Sequence, residues 1–427
     1  MSGPSGMTRY RMTSYLLRRM ARSVALRPGH RVDLLQGGAE LFPALVKAMD
    51  EAQYEIRLET YIFWNDAAGE QIVEALARAA ERGVTVWLLM DGVGTPSLPF
   101  IWAQRLTKAG VHWKLYKPGS WFGLLLRPSR WRRLHRKLCL IDGELAFCGG
   151  INILDDFNDP NYGRLAAPRL DFAVRVTGPL VAVVREAMTR IWWRMQPEDW
   201  LRDARVSRHL TRPLERASHQ GLVRAALPSA RAALLLRDNL LHRRIIERAY
   251  LKAIARAREE IIIANAYFLP GRRLRKALVA ATERGVRVRL LLQGRYEYFL
   301  QYHGARSVYG LLLAQGVEIH EYEASFLHAK VAVVDAQGGN QGSRPWATVG
   351  SSNLDPLSLL LAREANVVVA DAAFAADLRA RLVKAMDSEG RRVEPQAFAH
   401  RPWRQRVLDR LALGAVRLAL FLMGQAY

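Results

Sequence analysis

Two short stretches carry the same three chemically capable residues at the same spacing. His135-Arg136-Lys137 is followed five positions after the lysine by Asp142, and His328-Ala329-Lys330 is followed at that distance by Asp335. Both have the form H-x-K-x-x-x-x-D. With ten histidines and nine lysines in the chain, one such match has a chance expectation of roughly 0.01, so two at corresponding places are not accidental. Lysine itself is informative here, because 63 residues are lysine or arginine and all but the nine lysines are arginine. An imidazole can attack phosphorus or carry a proton, and an ammonium can hold an anionic oxygen. Two of each at one place would supply a nucleophile, an acid for a leaving alcohol and positive charge for phosphoryl oxygens. That chemistry needs no metal and no cofactor. The chain has no H-E-x-x-H, and His112, His209, His219, His242 and His320 have no ligand spacing.

Further matches follow each motif. Gly149-Gly150-Ile151-Asn152 corresponds to Gly350-Ser351-Ser352-Asn353. Small residues let backbone approach an oxyanion, and an asparagine amide can donate to it, so Asn152, Asn353 and Ser351 are candidate phosphate ligands. Asp171 lies 36 residues after His135, and Glu364 lies 36 after His328. A carboxylate on each ring would fix its tautomer and stabilise the imidazolium.

These groups need strands to aim them. Leu134 to Ile141 and Leu327 to Val334 are apolar runs, and a strand would point each histidine and its lysine to the same side. A single H-x-K strand would read as a polar edge strand; the duplication argues against that. Asp142 lies seven residues from its histidine and is followed by Gly143, an Asp-Gly hairpin signal. Asp142 and Asp335 are therefore expected at strand ends or turns, organising the site rather than carrying protons. Cys139 and Cys148 flank that turn and are expected as a reduced, buried pair facing each other; two cysteines cannot build a disulfide framework or a four-cysteine zinc site.

The repeat extends well beyond the motifs. Arg82-Gly83-Val84-Thr85-Val86 returns as Arg284-Gly285-Val286-Arg287-Val288, each after a helical stretch, and Gly110-Val111-His112-Trp113 returns as Gly316-Val317-Glu318-Ile319. Apolar strands Ile56 to Phe63 and Ile261 to Phe268 precede those helices. The strand–helix–strand order gives an α/β class with two similar lobes, each with its own mainly buried sheet. The expected organisation is an N-terminal extension over 1–30, lobes over 31–202 and 236–395, a linker over 203–235 and a basic tail over 396–427.

The chain has 427 residues and a net charge of +23, which favours anionic partners: nucleic acid, acidic lipid or a phosphorylated substrate. Half the residues are hydrophobic, which excludes a disordered chain. No run of about 20 apolar residues exists to span a bilayer. Met12, Tyr15, Leu16, Met20 and Val24 line a helical stripe whose arginines interrupt any signal-peptide core. Leu411 to Met423 carries one charge, Arg417, and suits either the membrane interface or docking on the protein. Before His135, Trp121, Phe122, Leu124 to Leu126 and Trp131 alternate with arginines, a mixture that suits a lipid headgroup boundary or nucleic-acid stacking.

The paired motifs resemble the phospholipase D superfamily, and the resemblance runs from about Val32 to Val369. Within it the chain is similar to bacterial cardiolipin synthases of the type without N-terminal membrane spans. Glu59-Thr60-Tyr61-Ile62-Phe63, Asp91-Gly92-Val93-Gly94, Arg237-Asp238-Asn239 and Ala266-Tyr267-Phe268-Leu269-Pro270 carry that likeness. Two departures stand out. Gly150 occupies a place where the superfamily often has serine, and 14 residues separate Asp335 from Gly350 where six separate Asp142 from Gly149. The excess, Gln337 to Pro345, reads as a longer hairpin loop.

The resemblance implies two lobes packed with pseudo-two-fold symmetry around one active site. It implies a covalent phosphohistidine, with His135 favoured as nucleophile and His328 as acid and base, and with Lys137, Lys330, Asn152 and Asn353 on the phosphoryl oxygens. The implied reaction moves a phosphatidyl group from one phosphatidylglycerol to another, giving cardiolipin and glycerol, at the cytoplasmic face of a bacterial membrane. A nucleic-acid phosphodiesterase, a hydrolytic phospholipase D and a non-catalytic membrane- or nucleic-acid-binding protein are the alternatives.

Overall fold

The computed structural model describes residues 25–117, 133–195, 230–237, 242–337, 344–355 and 362–422. In the first half, strands are β1 (Arg27–Gln36), β2 (Glu55–Thr60), β3 (Thr85–Asp91), β4 (His112–Tyr116), β5 (Lys137–Ile141), β6 (Leu145–Gly149), the short pair β7 (Asn158–Asp159) and β8 (Gly163–Arg164), and β9 (Phe172–Thr177). In the second they are β10 (Ala230–Arg237), β11 (Glu260–Asn265), β12 (Arg287–Gln293), β13 (Glu318–Tyr322), β14 (Lys330–Val334), β15 (Trp346–Gly350), β16 (Glu364–Ala370) and β17 (Gly390–Arg392). Helices are α1 (Gly37–Glu51), α2 (Ala67–Glu81), α3 (Phe100–Ala109), α4 (Leu180–Trp193), α5 (Ile245–Arg256), α6 (Arg272–Glu283), α7 (Phe299–Leu313), α8 (Ala372–Glu389), α9 (Pro395–Ala399) and α10 (Trp403–Leu422).

The strand order mirrors itself. It runs β17-β13-β12-β11-β14-β15-β16-β10-β1-β9-β6-β5-β2-β3-β4. In each half two parallel pairings, β2–β3–β4 and β11–β12–β13, continue into an antiparallel meander. The expected separate sheets are in fact continuous: β1 pairs antiparallel with β10, Arg27 opposite Ala232 and His30 opposite Ala230. Residues 27–30 and 230–235, read as extension and linker, belong to these joining strands, because unpaired apolar edges there would expose backbone groups. The stripe at Met12 to Val24, residues 203–229, the aromatic stretch from Trp121 to Trp131 and most of the long hairpin loop lie outside the described residues.

Burial on both faces explains the unbroken apolar strands such as Lys330–Val334. One face of each half-sheet contributes to a shared core, where Leu138, Cys148 and Val174 pack with Val331, Val349 and Val367 and with α4 and α8. The other faces are covered by α1, α2 and α3 in the first half and by α5, α6 and α7 in the second. Local signals agree with this. Asp66 caps α2 by accepting from the Gly69 amide at 3.0 Å, and Asp371 caps α8 at Phe374, 2.9 Å.

The two cysteines do not face each other. Cys139 is opposite Phe147 and Cys148 is opposite Leu138. A one-residue offset on a strand changes the face, so Cys139 packs in the outer core and Cys148 in the shared one. Burial pushes both thiols up to about 12.

The tail forms α10, which docks on α7. Ala412 and Val416 are buried, and Asp409 accepts from His303 of α7 at 2.8 Å and from Arg401 at 2.9 Å. Trp403, Leu411 and Leu418 remain exposed. No helix among the described residues is long and apolar enough to cross a membrane.

Candidate active site

The site is built where the two halves exchange backbone hydrogen bonds. The stretch before β5 runs beside the start of β16: Leu134 bridges Arg363, and the His135 amide donates to the Arg363 carbonyl at 3.1 Å. The second half repeats this with the start of β9. Leu327 bridges Leu170, and the His328 amide donates to the Leu170 carbonyl at 2.9 Å. The residue after each bridge partner is a carboxylate of the opposite half, Glu364 or Asp171. Each histidine therefore meets the other copy's acid.

The distances follow. His135 Nδ1 lies 3.1 Å from both Glu364 oxygens, and His328 Nδ1 lies 2.6 Å from Asp171 Oδ2. A carboxylate at Nδ1 keeps the proton of the neutral ring there and leaves the Nε2 lone pair free. Both histidines line one cavity of about 620 Å³, together with Asn152, Asn353 and Asp171. Tyr61 packs edge-on against His135, ring centroids 4.9 Å apart.

Burial governs the electrostatics. It lowers the pKa of His135, opposed by Glu364. It lowers His328 further, aided by the charges of Lys330 and Lys137. It brings Lys137 down to about 7 and Lys330 down to about 8, and raises Asp171 to about 7. A cavity already crowded with cationic side chains favours neutral imidazoles until an anion enters.

The other predicted residues fall into different places. Lys137 Nζ donates to the His135 carbonyl at 2.9 Å, and Lys330 Nζ donates to the His328 carbonyl. Both lysines are buried, and Lys137 Nζ lies 5.4 Å from the centroid of the Tyr61 ring that packs on His135. Asn152 Oδ1 accepts from the Ile62 amide at 3.2 Å, which leaves its NH2 for a ligand. Asn353 Oδ1 is buried with no donor among the described residues.

The Ser351 hydroxyl, expected at a phosphate, donates here to Glu364 at 2.5 Å, the acid that meets His135. Gly150 is its counterpart, and a Cβ there would lie 2.4 Å from Asp171 Oδ1. The shorter acid on that side occupies the space a serine would take.

Asp142 and Asp335 stand at the far ends of β5 and β14, away from the cavity. Both adopt positive φ, 52° and 49°. Asp142 accepts from the amides of Gln53, Tyr54 and Glu55 at 2.7 to 2.9 Å, and Asp335 from those of Arg258, Glu259 and Glu260. Each clamps its motif strand to the start of the antiparallel neighbour, β2 or β11, and lies away from the histidines.

Two positions escaped the reading of the motifs. Asp91, last in β3, accepts from the Leu134 amide at 2.7 Å and pairs with Arg133 on the cavity wall. Gln293, last in β12, takes the Leu327 amide at 2.9 Å. These strand-end residues set the height of each histidine, and their matching places in the repeat were the available signal. Glu297, Tyr298, Asp159, Asn161 and Arg169 also line the cavity; they come from loops and the short strand β7, segments that differ between the two halves and carried no signal.

The sequence model for the family "Cardiolipin synthase, PLD-like domain" matches residues 45–163 and 250–386. Cardiolipin synthase B of Escherichia coli K12 is 39% identical over 387 residues, covering 88% of this chain and 85% of that protein. Cardiolipin synthase A of Pseudomonas aeruginosa LESB58 is 32% identical over 368 residues, covering 85% and 68%. Among solved structures, the phosphatidylserine synthase of Haemophilus influenzae Rd KW20 superposes with a TM-score of 0.65 at 13% identity, covering 96% of this chain and 99% of that one; it shares the fold. With its doubled motif, mirrored sheet and crossed histidine–carboxylate pairs, the chain belongs to the cardiolipin synthase family of phospholipase D-like proteins.

Proposed function

We propose that the protein is a phosphatidyltransferase that converts two phosphatidylglycerol molecules to cardiolipin and glycerol. The observation that carries this is the pair of imidazoles, each oriented by the other half's carboxylate, lining one cavity. The relatives named cardiolipin synthase supply the substrate class. In the first step Nε2 of His135 attacks phosphorus; the P–N bond forms as the P–O bond to glycerol breaks. Protonated His328 gives its proton to the departing glycerol oxygen. In the second step the glycerol hydroxyl of another phosphatidylglycerol yields its proton to His328 and attacks phosphorus, and the P–N bond breaks. Lys137 and Lys330 offset the phosphoryl charge, and the amides of Asn152 and Asn353 donate to the non-bridging oxygens. The incoming anion counters the lysine charges and favours the protonated form of His328.

Peripheral binding at the cytoplasmic face of an anionic bilayer fits the +23 charge. It also fits a repeated surface feature. α3 and α7 occupy equivalent places in the two halves, and each opens with two exposed apolar residues: Phe100 and Ile101 at 79% and 74%, Phe299 and Leu300 at 41% each. The loops leading into these helices contribute Val93, Gly94, Glu297 and Tyr298 to the cavity wall. Exposed apolar side chains at the starts of both helices, next to loops that line the cavity, suit insertion among headgroups.

Purified protein incubated with labelled phosphatidylglycerol vesicles, and separately with single- and double-stranded DNA, tests the reading. Cardiolipin plus free glycerol is expected. Phosphatidic acid alone would replace it with hydrolysis, and nicked DNA with inert lipid would replace it with a nuclease.

A further inference from the structure

The cavity wall holds a carboxylate that the reaction does not use. Glu297 lies in the loop between β12 and α7 and lines the cavity. Its Oε2 accepts from the Tyr267 hydroxyl at 3.0 Å, and its backbone carbonyl accepts from the Tyr162 hydroxyl at 2.9 Å. Among the described residues no second donor reaches the carboxylate and no cation pairs with it. Three other carboxylates of the cavity are committed: Asp159 to Arg169 at 3.0 Å, Asp171 to His328 at 2.6 Å, and Asp156 to the Gly38 amide at 2.5 Å.

A half-buried carboxylate that forms no ion pair repels a phosphodiester, a repulsion offset only in part by the more distant charges of Arg169 and Lys330, and its free oxygen calls for a hydrogen-bond donor. Hydroxyl groups supply it, because an ionised carboxylate only accepts hydrogen bonds. Next to it, the Tyr298 hydroxyl accepts from Asn161 Nδ2 at 3.0 Å, which leaves its own proton to donate. An acceptor and a donor on adjacent residues of one wall match two neighbouring hydroxyls. Tyr162, which donates to the Glu297 carbonyl, packs on Phe326 with ring centroids 5.2 Å apart, and Gln293 at the start of the same loop holds the Leu327 amide at 2.9 Å, which places Glu297 on the His328 side of the cavity.

We propose that Glu297 and Tyr298 form the subsite that binds the glycerol hydroxyls of the leaving and the accepting alcohol, presenting one hydroxyl to His328. This rests on the phosphatidyltransfer reading and adds to it the means of choosing a polyol over a simple alcohol or water. The two alcohols share one subsite because the second step reverses the first: His328 protonates the oxygen released from phosphorus and later deprotonates the oxygen that attacks it. Glu297 positions and carries no proton.

The test is a competition read as a ratio. Full-length protein with phosphatidylglycerol vesicles is given equal concentrations of deuterated glycerol and 1-propanol, and deuterated phosphatidylglycerol and phosphatidylpropanol are counted by mass spectrometry. Wild type is expected to favour glycerol by about tenfold or more, and Glu297→Gln to lose about tenfold of that preference, the worth of a hydrogen bond to a charged acceptor. Should Glu297→Gln make no product, Tyr267→Phe reads the same ratio, with a fall of about threefold expected. A ratio unchanged within about a factor of two in every variant that makes product overturns the subsite. A wild type that makes cardiolipin but shows no preference does so as well. A wild type that forms neither cardiolipin nor either alcohol product defeats the transferase reading instead.

Discussion

His135 and Glu364 are 229 residues apart in sequence, and the ring nitrogen lies 3.1 Å from both carboxylate oxygens. Asp171 and His328 complete the exchange from the other side. The candidate catalytic unit is therefore divided between the halves twice over, and neither half holds a complete histidine–acid pair.

That division can be read in double mutants. Glu364→Gln should lower the cardiolipin-forming rate by about a thousandfold or more, as loss of an orienting carboxylate does in comparable dyads. His135→Ala with Glu364→Gln should be no worse than His135→Ala alone, because both act through one ring. His328→Ala with Glu364→Gln should be worse than either single change if any residual rate is measurable. Initial rates on phosphatidylglycerol vesicles decide it; the opposite pattern would restore pairing within each half.

Ser351 and Gly150 predict unequal responses to matched substitutions. Ser351→Ala removes a hydrogen bond to buried Glu364 and should destabilise the fold by about 1–3 kcal/mol. Gly150→Ala puts a Cβ 2.4 Å from Asp171 Oδ1, an oxygen also held by the Phe172 amide, and should push the acid off His328. Activity should fall by about tenfold or more, beyond what the melting temperature explains. Calorimetry and initial rates on the two variants separate these effects.

Lys137 gives a pH signature. Burial brings its pKa from the usual 10.5 to about 7, so between those values the unfolded chain binds more protons and stability from this group rises with pH. Lys137→Met removes that slope. Relative to wild type, the variant should be most favoured below pH 7, with the difference shrinking steadily toward pH 10.5. Asp171 acts in the other direction. Its pKa is raised from 3.8 to about 7, so its contribution is present at low pH and lost as pH rises through 7. Urea unfolding of wild type, Lys137→Met and Asp171→Asn across pH 5 to 9 (about that range, to avoid acid and base denaturation) tests both signs.

The paired apolar residues predict additive membrane binding. Phe100→Ser with Ile101→Ser, and Phe299→Ser with Leu300→Ser, should each weaken flotation on anionic liposomes by about tenfold, the worth of a partly buried aromatic and aliphatic pair. The quadruple variant should lose both increments, because the two pairs lie on different helices, one in each half. Equal flotation of all variants would remove these helix ends from the interface.

Much of this molecule was legible in one dimension. The doubled H-x-K strands, the Asp-Gly turn at Asp142, the strand–helix–strand order and the alternation of apolar runs are local patterns, and local sterics and burial decide them. The partner of each histidine was not legible. Asp171 and Glu364 keep the same 36-residue spacing whether they serve their own half or the other, so spacing cannot distinguish the two. Only the bridges at Leu134–Arg363 and Leu170–Leu327 make the choice. Tertiary structure likewise joined β1 to β10 into one sheet, put Cys139 and Cys148 on opposite faces, turned Ser351 toward Glu364 and brought Glu297 into the cavity. Each of these depends on which strand edge or loop lies alongside in space, and a repeated sequence offers two equivalent candidates until packing selects one.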